Sequence, residues 1–425
     1  MRDGLTALER LRSEIDSATS SVSDQSLRLA AKLRVLIMAN TAGVRRKPEI
    51  EITEAEFRSG FAELLSKAPA QTLRHHAFFA IPANQHPWFD TGIELRAGEF
   101  VTIFAVGRAW LSREAGMCVY PDMQLWFRIG ERGNIFRGTR YSHSFQVREA
   151  GRLFLGNYFP GEWNTRTGGI AVGTEAYRPM EGDICVLALC WSGLSLEGLK
   201  RIAAHGDVAG MIRLEIERLE NPALPPEGWE YLWFLGPAEI YTPGSPAPQR
   251  PSIRCYTHQD AGILHKDVSL PLSDEVRLRW AWKVDLLPSA SREDLLPNHD
   301  YLSIAVEFDN GQDLTYFWSS ELPLEAGFRC PITTWAPRET HVVVRSGKDE
   351  LGRWCQEERA LKADYQRYVG TVGERDASVD PRVVPPPTRI VRVWLIANSM
   401  FREQVGQCEY GTIELHAGST VITVN

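Results

Sequence analysis

The stretch Val276-Arg277-Leu278-Arg279-Trp280-Ala281-Trp282-Lys283-Val284 decides the fold class. Val276, Leu278, Trp280, Trp282 and Val284 fall on one side of an extended chain, and Arg277, Arg279, Ala281 and Lys283 on the other. A helix, whose faces repeat about every 3.6 residues, would mix the two sets; a strand with one buried face keeps them apart. Downstream, 302–308, 314–318, 341–345 and 390–397 are short β-prone runs of the same kind. Asp309-Asn310-Gly311-Gln312 separates the first two and supplies the Asn-Gly pair that tolerates positive φ, so these strands are expected to form a hairpin.

Upstream, Phe100-Val101-Thr102-Ile103-Phe104-Ala105-Val106, Gln124-Leu125-Trp126-Phe127-Arg128-Ile129 and Asp183-Ile184-Cys185-Val186-Leu187-Ala188-Leu189 repeat the pattern between Gly, Pro and Asn. Outside these runs the period lengthens. Leu5, Leu8, Leu11 and Ile15, then Leu29, Leu33, Leu36 and Ile37, predict two amphipathic helices, and Thr53-Glu54-Ala55-Glu56 is a capping box opening a third with Phe57, Phe61 and Leu64 on its buried stripe. Residues 195–219 are again read as helix, followed by Pro237, Pro243, Pro246, Pro248 and Pro251. The expectation is a mainly β protein: a helical N-terminal segment (1–80), a β-sandwich (86–192), a helical connector with a Pro-rich linker (193–252) and a second, jelly-roll-like β-sandwich (253–425).

Composition narrows the function classes. The 425 residues are 44% hydrophobic and 24% charged, enough apolar content for packed cores. With 47 basic against 54 acidic side chains and no basic run beyond Val44-Arg45-Arg46-Lys47, nucleic acid is not an expected partner. The opening residues lack a secretory leader's apolar run, and no stretch approaches the roughly 20 apolar residues of a membrane span. Seven scattered cysteines without C-x-x-C fit reduced thiols in a cytoplasmic protein.

Residues 88–190 resemble the galactophilic bacterial lectins, through Thr91-Gly92-Ile93, Ala97-Gly98-Glu99 running into the strand to Gly107, Phe127-Arg128-Ile129-Gly130, and Gly151-Arg152-Leu153-Phe154-Leu155-Gly156-Asn157 with Phe159-Pro160-Gly161 and Gly168. The resemblance implies a small sandwich. The family binds galactose through calcium, but Tyr158 stands where the family has a ligating Asp, and Thr165 and Arg166 where it has two Asn ligands, so the calcium site does not carry over. Tyr120-Pro121-Asp122-Met123-Gln124 lies where the family keeps a His-Pro-Asp-Gln sugar contact. Residues 265–415 resemble an uncharacterised bacterial β-sandwich family, through Trp280-Ala281-Trp282-Lys283-Val284-Asp285, Asp300-Tyr301, Tyr316-Phe317-Trp318, Gly352-Arg353-Trp354 and Asp364-Tyr365, which implies architecture and no chemistry.

Three constellations are candidates for chemistry. Glu307 and Asp309 share one strand face about 7 Å apart, a spacing that lets one act as acid and the other as base; the alternative is a solvated face with Glu307 paired to Arg345 or Lys283. His341 and Arg345 alternate on a neighbouring predicted strand and would complete an acid–base cluster if the strands pair. Tyr316, Trp318, Trp335 and Trp354 offer rings for stacking on a sugar or aryl group, Trp335 and Trp354 being in or near loops. Asp364 is read as a helix-surface charge in a predicted helix over 357–368. No motif for zinc, calcium, nucleotide or dinucleotide binding occurs, so no metal or cofactor is expected. The leading reading is a soluble, metal-independent protein that binds a carbohydrate or similar small molecule. The alternatives are a metal-independent hydrolase or lyase working through Glu307 and Asp309, and an assembly protein whose sandwiches and N-terminal helices only dock partners, with oligomers formed through those helices.

Overall fold

The computed structural model describes residues 50, 52–85, 87–113, 117–244, 251–295, 298–332, 335–370, 384–401 and 404–425. The two N-terminal helices expected over 5–15 and 29–37, and with them their part in docking or oligomers, lie outside the described residues. The chain is mainly β and divides into two compact units, 1–222 and 223–425.

The first unit contains β1 (Leu73–Pro82), β2 (Trp88–Leu95), β3 (Phe100–Gly107), β4 (Ala109–Ser112), β5 (Met117–Val119), β6 (Leu125–Ile129), β7 (Phe136–Arg137), β8 (Ser142–Gln146), β9 (Gly151–Asn157) and β10 (Asp183–Trp191). Two four-stranded antiparallel sheets, ordered β1-β10-β3-β8 and β2-β9-β6-β7, face each other. Between them pack Ile103, Ala105, Val186 and Ala188 from one sheet and Leu125, Phe127, Leu153 and Leu155 from the other. The opposite face of β3 and β10 is also covered: Phe104, Leu187 and Leu189 pack on Phe57 and Phe61 of the helix Glu54–Lys67, Leu199 and Ile202 of Ser195–Ala203, and Ile212 of Met211–Glu220. Burial on both faces explains why β3 and β10 are continuous apolar runs.

This layer corrects two boundaries. The helical segment does not extend to residue 80, because 73–82 is a strand paired to β10; the connector helices belong to the first unit as its cover. The Pro-rich segment is not the boundary either, since Tyr241–Pro243 is already a strand of the second unit. The capping box forms as expected: the Thr53 side chain accepts from Glu56 N–H, and Glu56 Oε2 accepts from Thr53 N–H at 2.8 Å. Gly107 ends β3 at φ +96°, where a Cβ would lie 2.2 Å from the Asp183 carbonyl oxygen. Gly107→Ala is expected to destabilise the first unit by about 1–3 kcal/mol; a denaturant midpoint equal to wild type would refute this.

The second unit contains β11 (Glu230–Tyr231), β12 (Tyr241–Pro243), β13 (Ile253–His258), β14 (Ala261–Pro271), β15 (Arg277–Leu286), β16 (Tyr301–Phe308), β17 (Asp313–Ser319), β18 (Gly327–Arg329), β19 (Glu339–Ser346), β20 (Cys355–Ala360), β21 (Arg389–Asn398), β22 (Val405–Ala417) and β23 (Thr420–Thr423). They form a seven-stranded sheet, β11-β14-β21-β16-β17-β19-β18, and a six-stranded sheet, β12-β13-β22-β15-β20 with β23 on β22. The pairings are antiparallel except β17 with β19. Leu278, Trp280, Trp282 and Val284 of β15 enter the core between the sheets and meet Leu302, Ile304, Val306 and Phe308 of β16 there, so the alternation read from the sequence is the observed one. β16 and β17 form the expected hairpin, with Gly311 at φ +78°. Of the helix predicted over 357–368, the first residues are the end of β20, which runs to Ala360, and the rest is helical, α over Leu361–Asp364 and π over Tyr365–Val369.

Candidate functional site

The chemistry-bearing side chains of the second unit gather on the outer face of the seven-stranded sheet. Every residue of β16 is buried, because Leu232, Leu235, Leu322 and the partly buried Phe234 and Trp335 cover that face. Strand register sets polar groups in rows across it. One row runs Asp267, Arg392, Glu307, Asp313, Glu339 over five neighbouring strands; the next runs His265, Trp394, Ala305, Thr315, His341, Phe328.

In the first row Arg392 donates to Asp267 (Nε to Oδ1, 2.8 Å) and Glu307 (Nη1 to Oε2, 2.9 Å). Arg338 lies 3.4 Å from Glu307 Oε1 and 3.5 Å from Asp313 Oδ2. Its guanidinium also sits 5.4 Å from the Trp335 ring centre and 5.2 Å from that of Trp394. Trp335 packs edge-on to Trp394 at 6.1 Å and against Phe234 at 5.7 Å. Arg338 therefore joins the partly open ring of Trp335 and the buried ring of Trp394 to buried acids while its own side chain stays 30% exposed. Asp313 is fully enclosed, and neither carboxyl oxygen has a hydrogen-bond partner. Burial, reinforced by the charge of Glu339 and opposed by Arg338, pushes its pKa well up.

Beside this row lies a buried cluster of His299, Tyr301, Thr315, Cys330, Glu339 and His341. His299 Nδ1 is 2.6 Å from the Glu293 carbonyl oxygen. A carbonyl only accepts, so Nδ1 carries the proton and Nε2 presents its lone pair, 3.4 Å from Cys330 Sγ. The Glu293 carboxylate is itself held by Ser319 Oγ (2.5 Å), Ser320 N (2.7 Å) and Ser320 Oγ (2.8 Å), which fixes the segment bearing that carbonyl. Burial holds His299 down to about 3, with the charge of His341 adding to it. Glu339 Oε1 accepts from Thr315 Oγ1 at 3.0 Å and Tyr301 OH at 3.3 Å, and lies 3.4 Å from His341 Nε2. Burial alone would raise Glu339, but His341, with smaller contributions from His299 and Cys330, outweighs it and holds the carboxyl down to about 2. His341 is wholly buried, stacked 5.1 Å from Phe328, and neither ring nitrogen has a hydrogen bond.

The predicted site residues are dispersed. Glu307 sits in the charge row, paired with Arg392 and Arg338 rather than Arg345 or Lys283. Asp309 lies past the end of β16, where its carboxylate accepts from the Thr388 backbone and hydroxyl. The two do not pair: the hairpin sets Asp313, not Asp309, opposite Glu307. His341 is in the closed cluster, not at a rim. Arg345 binds Glu357 (2.7 Å) and Glu350 (2.5 Å), away from Glu307 and His341. Tyr316 and Trp318 are core residues between the sheets, with Tyr316 OH on Asp364 Oδ2 (2.9 Å) and Trp318 Nε1 on Gly347 O (2.9 Å). Trp335 is partly open beside the charge row, and Trp354, 51% exposed, lies over Gly411 of β22. The sequence reading missed His299, Asp313, Cys330, Arg338, Glu339 and Arg392. Strand register for Asp313, Glu339 and Arg392, and the segments flanking the strands for His299, Cys330 and Arg338, make them neighbours, neither being visible to local spacing.

In the first unit the lectin-like position of Tyr158 is packed among rings. Tyr158 OH donates to Val172 O at 2.8 Å, and its ring lies 4.3 Å from Trp163 and 5.0 Å from Tyr177, while Thr165 and Arg166 are exposed. The Tyr120-Pro121-Asp122-Met123-Gln124 stretch forms a short helix at Pro121–Gln124 whose residues are all buried.

Residues 227–414, nearly the whole second unit, match the model of a family described as "Protein of unknown function (DUF3047)". No curated protein matches the chain. Among solved structures, a PllA-like lectin, the EclA N-terminal domain, is 20% identical over 27% of this chain and 94% of its own, with a TM-score of 0.21. The xyloglucanase domain of NopAA, a type three effector from Sinorhizobium fredii solved with cellobiose, is 9% identical over 47% of this chain and 96% of its own, at 0.28. A Burkholderia cenocepacia protein is 9% identical over 98% of this chain and 95% of its own, at 0.15. Values of this size establish neither a shared fold nor a shared ligand. No helix among the described residues is long and apolar enough to cross a membrane.

Proposed function

We propose that the protein binds a carbohydrate or a similar polyol-bearing small molecule on the outer face of the seven-stranded sheet, at the patch of Trp335, Arg338, Glu307 and Arg392. One observation carries this: Arg338 touches the faces of Trp335 and Trp394 and the carboxylate of Glu307 while remaining partly open. An aromatic face takes the apolar C–H face of a sugar ring, and the adjoining guanidinium and carboxylate groups supply fixed donors and acceptors for its hydroxyls. No ion is needed for these contacts. None of the seven cysteines forms a disulfide, which supports a reducing, cytoplasmic setting.

The hydrolase or lyase alternative needs a second carboxyl beside Glu307. Asp313 is the one in place, its pKa pushed well up by burial, but it is closed off, so the binding reading is preferred. Calorimetric titration of the full chain with cellobiose and with galactose tests both. Trp335→Ala is expected to weaken binding at least about tenfold, the size of a lost ring contact, with Glu307→Gln weakening it less. Turnover of an aryl glycoside that Glu307→Gln abolishes while binding persists would favour the enzyme. Neither sugar binding, or binding indifferent to both changes, would overturn the proposal.

A further inference from the structure

Among the described residues, His299, Cys330 and His341 are the one group of His, Cys, Asp or Glu side chains with the spacing to hold a metal ion: a ligand atom from each lies within 4.8 Å of the others, and all three are buried. We infer that these three side chains bind one divalent transition-metal ion, zinc(II) as the leading candidate, with the carboxylate of Glu339 as fourth donor. The inference goes beyond the surface patch and does not rest on it.

Geometry is the first support. Around a tetrahedral zinc ion with nitrogens at about 2.0–2.1 Å and sulfur at about 2.3 Å, donor atoms stand about 3.3–3.6 Å apart. His299 Nε2 and Cys330 Sγ are already 3.4 Å apart, and His341 Nε2 is 3.4 Å from Glu339 Oε1. His341 belongs with the first pair to the group whose ligand atoms all lie within 4.8 Å of one another, and Glu339 stands next to it on the side of His341.

The second support is the state of the donors. His341 is shut away from solvent with no hydrogen bond to either ring nitrogen, the nearest polar partner being Glu339 Oε1 at 3.4 Å from Nε2, a condition that burial makes unfavourable for Nδ1 unless another partner is present. His299 shows the arrangement of a metal-bound imidazole, with its outer nitrogen donating to a backbone carbonyl and its inner lone pair turned to the other donors. Glu339 is oriented in turn by Thr315 and Tyr301.

The third support is charge. A divalent cation with one thiolate and one carboxylate is neutral overall, as a site without solvent requires. Thiolate, two imidazoles and one carboxylate suit zinc better than calcium or magnesium, which take oxygen donors. Binding replaces the Cys330 S–H bond with an S–metal bond and releases one proton to solvent.

With all four positions taken by protein and no open side, the ion is structural. It would tie the segment before β16 and the segment after β18, whose donors are 31 residues apart, to β19. The partial overlap with the charge row through Glu339 makes it a brace for the covered sheet face.

The test uses the full chain, stripped with a chelator and reloaded with zinc(II) or cobalt(II). Expected are one ion per chain by elemental analysis, a rise of several degrees in unfolding midpoint on zinc addition, and a thiolate-to-cobalt charge-transfer band in the near ultraviolet. Cys330→Ser is expected to abolish the band and the thermal rise, and His341→Asn to reduce the stoichiometry well below one, with Cys355→Ser unchanged. A reloaded wild-type protein without the charge-transfer band overturns the inference even if the variants fail to fold. So does a band that survives in folded Cys330→Ser.

Discussion

Replacing Arg359 with methionine is expected to lower the unfolding free energy of the second unit by about 3–5 kcal/mol, the usual consequence of leaving a buried carboxylate without its cation. Arg359 donates to Asp364 through Nε (2.7 Å) and Nη2 (3.0 Å) and to Glu325 through Nη1 (2.6 Å), with its guanidinium 5.4 Å from the Tyr316 ring centre. Side-chain exposure is 15% for Arg359 and 11% for Asp364 against 38% for Glu325, so the Asp364 pair carries most of the effect and the Glu325 pair is screened. Asp364 also accepts from Tyr316 OH inside the core, so removing the cation strands a charge that the core cannot solvate. Adding Asp364→Asn to the methionine variant should recover part of the loss. Chemical denaturation of the three variants reads the effect, and a loss under about 1 kcal/mol for Arg359→Met would mean that solvent screens this pair. The same geometry corrects the sequence reading of Asp364 as a surface charge: it lies within the helical stretch 361–369 but is buried, facing Arg359 of β20 and Tyr316 of the core.

The second large effect is a pH dependence in the first unit that runs in two opposite directions. Burial pushes the Glu162 carboxyl up to about 7, against a lowering hydrogen bond from Tyr177 OH at 2.5 Å. The folded state then holds this proton more tightly than the unfolded chain, so the contribution of Glu162 to stability is greatest below about pH 4.5 and is lost as pH rises to about 7. His143 does the reverse. Its Nδ1 is enclosed without a hydrogen bond, and burial, then the charge of Arg218, brings it down to about 4, so its contribution is lost as pH falls from about 6.5 to 4. Each shift corresponds to about 3 kcal/mol, less for His143, which is only half-buried. Glu162→Gln removes one side of this opposition. The difference in unfolding free energy between wild type and Glu162→Gln should change by about 3 kcal/mol between pH 4.5 and 7, favouring the variant at the upper end. Parallel stability curves for the two proteins would show that Glu162 titrates like an exposed carboxylate.

Local pattern carried the fold where one period dominated. The split of Leu278, Trp280, Trp282 and Val284 from their neighbours placed β15, and Asn310-Gly311 placed the hairpin, because both signals lie within a few residues and depend only on backbone geometry. The same logic misplaced the first-unit helices as a connector. Their apolar stripe shows that they pack on something, but not that it is the outer face of β3 and β10. It also failed for β16, read as one buried and one open face, since both of its faces are covered once Leu232, Leu235 and Trp335 fold over it.

For the site, the sequence supplied Glu307, His341 and Trp335 but the wrong companions. Asp309 stands two residues from Glu307 in the chain and is turned away by the hairpin, whereas Asp313, Arg392 and Arg338 reach Glu307 across strands or from a covering loop. His299, Cys330 and His341 come from three segments and form no spacing that a linear search recognises. By itself, then, the chain determined its mainly β class, its strand alternation and its turns, because these follow from the torsional preferences and solvation of adjacent residues. The partners of each buried charge and the gathering of two histidines with a cysteine were decided only in the tertiary structure, because strand order and register bring together groups that are far apart along the chain.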